Sequence, residues 1–107
     1  MRIRLFCSNF KKTQAIQDEV NRYSEEVVSY IPEDQVLGIE AILKVINSDT
    51  QPGRDEYSCH LIVKTKRNGR IFLSHKDLTF GKAIRTAFLR MTAVVTKKYK
   101  KSMEAFV

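Results

Sequence analysis

The sequence predicts an α+β domain in the order βαβββα, and three observations predict it. Four segments, at residues 2–7, 36–47, 56–66 and 70–76, alternate apolar and polar residues with the period of a strand. Two others, beginning near residues 13 and 80, return apolar residues every three or four positions, the period of a helix laid on a core. Breaks at Ser8-Asn9, Pro32, Asn68-Gly69 and Asp77-Leu78-Thr79 separate them.

The first strand puts Ile3, Leu5 and Cys7 on one face and Arg2, Arg4 and Phe6 on the other. Thr13 then offers a hydroxyl cap for a helix to about Tyr30, whose stripe is Ile16, Val20, Tyr23, Val27 and Ile31. Asp18 and Glu19 fall in its first two turns, where the helix dipole favours them, and Pro32 forbids much continuation. The second strand, Val36 to Asn47, sets Ile39, Ala41, Leu43 and Val45 on one face. The polar run from Asn47 to Asp55 reads as a mobile loop. A third strand covers about Glu56 to Lys66 and a fourth about Arg70 to Lys76.

The hairpin between the last two strands can be tested for register. A two-residue Asn68-Gly69 turn would set Val63 opposite Ser74 and mix the faces. A three-residue loop, Arg67-Asn68-Gly69 with Gly69 left-handed, pairs Lys66 with Arg70, Thr65 with Ile71 and Val63 with Leu73. That gives a consistent inner face of Cys59, Leu61, Val63, Ile71 and Leu73, so the apolar pattern favours the longer loop. The same parity puts Phe6, Ile42, Ile46, Ile62 and Phe72 on the outer face, among Arg2, Arg4, Lys44, Lys64 and Arg70. With both helices inside, that face reads either as ordinary half-exposed strand residues or as a contact surface for a partner or a second copy.

The final helix carries most of the charge. From Phe80 to Val107, Lys82, Arg85, Arg90, Lys97, Lys98, Lys100 and Lys101 face one acid, Glu104, which gives +6 of the chain's +7. All but Lys98 share one broad sector of the helical wheel. Phe80, Ala83, Ile84, Ala87, Phe88, Met91, Val94 and Val95 fall on the opposite one. So few acids leave the cations repelling each other, and a polyanion is their natural partner.

At 107 residues, 43% hydrophobic and 29% charged, the chain reads as one soluble domain. No apolar run approaches the ~20 residues of a membrane span, and the alternating start is no signal peptide, so the expected compartment is the cytoplasm. Cys7 and Cys59 read as reduced, space-filling thiols. His60 and His75 have no nucleophile, carboxylate or metal-ligand partner at a motif spacing, and no phosphate-cradling glycine loop occurs. No catalytic residue, metal site or cofactor is therefore expected.

The element order and the basic final helix resemble the hibernation-promoting factor family, also called ribosome-associated inhibitor A or sigma-54 modulation proteins. The stretch from Asn9 to Ile16 looks like the family's opening. Ile42-Leu43-Lys44-Val45 looks like its second strand, and Asn68-Gly69-Arg70-Ile71 through Phe80-Gly81-Lys82-Ala83-Ile84 like its final hairpin and helix. Each motif is weak alone; their order and spacing carry the likeness, which is to the short, single-domain class. The resemblance implies a double-stranded-RNA-binding-domain-like fold, a four-stranded sheet with two helices on one face. It implies a translation inhibitor of stress or stationary phase, seated in the mRNA and tRNA channel of the small ribosomal subunit. By position, rRNA phosphates would be met by Lys82, Arg85, Arg90, Lys97, Lys98 and Lys101, with Lys11 and Lys12 adding contacts at the first helix. The alternative is a small adaptor or dimeric regulator that uses the apolar outer sheet face, including weak self-association through it.

Overall fold

The chain folds as β1 (Arg2–Ser8), α1 (Gln14–Val28), β2 (Val36–Asn47), β3 (Asp55–Thr65), β4 (Gly69–Asp77) and α2 (Phe80–Glu104). The computed structural model describes residues 2–47 and 55–104, with side chains for 2–46 and 55–99. Most of the loop expected between β2 and β3 lies outside the described residues. The four strands form one sheet in the order β1-β2-β3-β4. β1 runs parallel to β2, and the other pairs are antiparallel. A parallel pair needs a crossover, which α1 supplies.

Local chemistry fixes the ends. Asn9 stops β1 with a left-handed φ of 68°, and its Nδ2 donates to the Val45 carbonyl at 3.1 Å. Asparagine enters that region more readily than most residues. Thr13 caps α1 as expected: its Oγ1 accepts from the Ile16 N–H at 3.3 Å. α1 ends at Val28, two residues short of Tyr30, because Tyr30 and Ile31 turn tighter, donating to the Val27 and Val28 carbonyls. The turn leads through Pro32 into a short 3-10 helix, Glu33–Gln35, which the hydrophobic pattern does not reveal.

The hairpin departs from the expected register by two residues. Val63 pairs with Ile71 rather than Leu73, Leu61 with Leu73, and Thr65 with Gly69. The loop has three residues, but they are Lys66, Arg67 and Asn68. Gly69 is left-handed as expected, with φ 63°, but it belongs to the strand. Two interactions explain the shift. Thr65 Oγ1 accepts from the Asn68 N–H at 3.1 Å and donates to the Gly69 carbonyl at 3.0 Å, closing the turn early. The 3-10 helix takes the loop's free donors: the Gln35 carbonyl accepts from the Lys66 N–H and Gln35 Oε1 from the Arg67 N–H, both at 3.0 Å. A slip of two preserves every face, so the apolar pattern could not detect it.

The inner face is the floor of the core. Leu5, Ile39, Ala41, Leu43, Cys59, Leu61, Val63 and Ile71 are buried there. Leu73 is only partly buried, because β4 is an edge strand. α1 contributes Val20 and Val27, and α2 contributes Ala83, Ile84, Ala87, Phe88, Met91, Val95 and Tyr99. The Tyr23 and Phe88 rings stack at 5.5 Å between the helices. Phe80 fills the corner, 4.4 Å from the Phe10 ring and 4.5 Å from that of Tyr57. Both cysteines are free thiols. Cys7 and Cys59 each neighbour Leu43 from opposite sides. Two strand spacings, about 10 Å, separate them, beyond disulfide reach. At Gly38 the β1 backbone leaves no room for a side chain: a Cβ there would lie 2.8 Å from the Arg2 carbonyl oxygen.

Candidate nucleic-acid interface

The basic stripe of α2 is displayed as the helical period requires. Burial of Ala83, Ile84, Ala87, Phe88, Met91 and Val95 against the sheet turns Lys82, Arg85, Arg90 and Lys97 to solvent. Lys98 falls on the core side of the wheel, yet it too is exposed. Lys101 lies on α2, but its side chain is outside the described set. From Lys82 to Lys97 the stripe extends about 22 Å along the axis.

Thr79 starts the helix, its Oγ1 accepting from the Lys82 N–H at 3.2 Å. Arg90 donates to the Ser74 carbonyl at 3.4 Å, which tethers one cation to the sheet edge. Among the described residues no salt bridge involves a Lys or Arg of α2. Asp77, whose carboxyl feels Lys82, is otherwise held: it accepts from the Leu78 N–H at 2.8 Å and contacts His75 at 3.2 Å. These bonds hold its carboxyl below the usual range, with Lys82 adding to the effect. The stripe therefore keeps its charge for a partner.

Lys11 and Lys12 are exposed on the segment entering α1. The Phe10–Phe80 contact anchors that segment beside the start of α2, so the two lysines and Lys82 share one end of the helix layer. The sequence stripe omitted Tyr99, which is 1% exposed. Its signal was the four-residue spacing Met91, Val95, Tyr99, hidden inside a run of lysines.

The outer sheet face is uncovered among the described residues. Phe72 is 66% exposed and Phe6 49%, while Ile42, Ile46 and Ile62 are half-buried. Phe6 neighbours Ile42, which neighbours His60 and then Ser74. One row along, Arg4, Glu40, Ile62 and Phe72 cross the sheet. Glu40 contacts Lys64 at 2.7 Å and Arg4 at 4.0 Å, and the Lys64 bond holds its carboxyl below the usual range. A shallow depression of about 380 Å³ lies among Ile42, His60, Ile62, Phe72 and Ser74. His60, Ser74 and Lys76 share the parity of Ile62 and Phe72 and belong to this face too, although the apolar pattern does not mark them.

No group of three or more His, Cys, Asp or Glu among the described residues could hold a metal ion. No helix among them is long and apolar enough to cross a membrane.

No family model matches the chain, and no curated protein matches it in sequence. Solved structures do. The Thermus thermophilus Protein Y N-terminal domain is 21% identical at a TM-score of 0.74, with 91% of this chain and 98% of that one covered. A ribosomal subunit interface protein from Coxiella burnetii is 16% identical at 0.65, with 94% and 99% covered. Both are members of the family that the sequence resembles, and the fold of this chain is the one they share.

Proposed function

We propose that this chain is a cytoplasmic ribosome-associated factor that binds the small ribosomal subunit and its rRNA through the basic face of α2. Bound in the mRNA and tRNA channel, it holds translation inactive under stress or in stationary phase. The observation that carries the reading is the exposed stripe Lys82, Arg85, Arg90 and Lys97, which makes no salt bridge among the described residues. Such a stripe binds phosphates and releases their counterions. The fold likeness to a protein named for the ribosomal subunit interface supports the choice of polyanion. Lys11, Lys12, Lys98 and Lys101 extend the surface at its two ends. The chemistry is binding, with no catalytic step. Phe6, Ile42, Ile46, Ile62 and Phe72 form a second contact surface on the opposite side of the sheet.

Competition tests the channel. The chain should inhibit cell-free synthesis, and saturating mRNA with initiator tRNA should relieve the inhibition, because ligands of one site exclude each other. Simultaneous, non-competitive binding of the chain and tRNA to the small subunit would refute channel occupancy.

A further inference from the structure

We propose that the bare face of the sheet binds single-stranded RNA, with an unpaired base stacked on Phe72 in the depression beside His60. The inference stands on this face alone, whether or not α2 meets rRNA.

An aromatic ring 66% exposed on an edge strand is mostly left unpacked by its own fold. Here it borders a depression that also has Ile42 and Ile62 for apolar contact and His60 and Ser74 for hydrogen bonds. At about 380 Å³ the depression lies at the low end of the ~300–1,000 Å³ range of ligand clefts. A flat ring with polar edges suits it.

Charge names the partner. By strand parity, Arg2, Arg4, Lys44, Lys64, Arg70 and Lys76 point outward on this face. They are opposed by Glu40, already paired with Lys64 and Arg4, and by Glu56 at the far end. The cations form two rows, Arg2–Lys64–Arg70 and Lys44–Lys76, one on each side of the depression. Arg70 and Lys76 are six residue steps apart along β4, which is about 20 Å. A strand crossing the groove would meet cations before and after the stacked base, the combination used by single-strand binders.

A protein partner fits less well. Interface centres are depleted of charge, whereas the Arg4–Glu40–Lys64 cluster adjoins Ile62 and Phe72 in the middle of this face. A second copy would bring the same cations against themselves. A duplex would hide its bases from Phe72.

The test is fluorescence anisotropy of the full chain with a labelled oligouridylate of about ten nucleotides, beside a duplex RNA of equal length, at fixed salt. Phe72→Ala should weaken single-strand binding roughly tenfold and leave duplex binding unchanged. Phe72→Trp should restore the affinity, and ultraviolet crosslinking should label the β4 peptide. An affinity for the single strand that Phe72→Ala does not change would overturn the proposal, as would an equal fall for both RNAs. A Phe72→Ala variant that loses self-association or an acidic protein partner, with RNA binding intact, would make the face a protein contact and also refute it. Failure here with ribosome binding retained would leave the α2 reading standing.

Discussion

Helices α1 and α2 lie side by side over one face of one sheet, and each begins at a threonine whose hydroxyl accepts a backbone N–H three residues on. Their exposed surfaces carry opposite signs. α1 holds Asp18, Glu19, Glu25 and Glu26 against Arg22 alone, whereas α2 holds seven Lys/Arg against Glu104. The shared part, caps and an apolar stripe, determines where each helix lies. The part that differs has little role in packing: the charged residues of both faces lie outside the core, and on α2 only Arg90 bonds the sheet, at the Ser74 carbonyl. On the proposed reading, two helices built alike serve as scaffold in one case and interface in the other, and charge on the solvent side separates the cases.

The largest expected effect on stability joins the two helices. Phe88 is 2% exposed and its ring stacks on Tyr23. Phe88→Ala should cost about 3–5 kcal/mol in denaturant melts, through lost burial and a cavity. A loss below about 1 kcal/mol would show that the helices dock independently.

Next comes the floor beneath both helices. Burial pushes the Cys59 thiol from an ordinary 9.0 up to about 12. The folded state then binds a proton that the unfolded chain releases, so this contribution is complete below pH 9 and is lost as pH rises towards 12. Stability of the native chain should fall across that window more steeply than that of Cys59→Ala. Parallel pH profiles would mean that the helices do not seal the thiol from water.

Smaller effects separate capping from charge. Thr13→Ala and Thr79→Ala should each cost about 1 kcal/mol, since the two hydroxyls do the same work. Exchanging Asp18, Glu19, Glu25 and Glu26 for their amides should change ribosome affinity by no more than about twofold, and then towards tighter binding. A large loss would place α1 in the interface and erase the contrast.

How much of this the sequence shows depends on the range of each signal. Side-chain parity and helical period are local, so the element order, the inner and outer faces, the Thr13 cap and the left-handed Gly69 are all legible. Hairpin register within a parity is set by groups far apart in sequence: Thr65 closing its own turn, and Gln35 drawing on Lys66 and Arg67. No periodic pattern records those bonds. Nor does one reveal that Leu73 is half-exposed on an edge strand, or that Tyr99 is buried amid lysines. The described part of the α2 stripe, Lys82, Arg85, Arg90 and Lys97, is readable because one helix carries it. The outer-face depression joins β2, β3 and β4, so its residues could be placed on a face from sequence but not brought together.

The central claim, that α2 is the interface, is tested most directly by co-sedimentation with isolated small ribosomal subunits over a salt series. The native chain is compared with a variant in which Lys82, Arg85, Arg90 and Lys97 are alanine. All four are exposed and only Arg90 bonds the sheet, through one long hydrogen bond to the Ser74 carbonyl, so circular dichroism should show an unchanged fold. If they neutralise four phosphates, the variant should bind more weakly, and its log affinity against log salt should be less steep by roughly 3 to 4 units. Equal affinity and an equal slope for the two proteins would remove α2 from the interface and contradict the account.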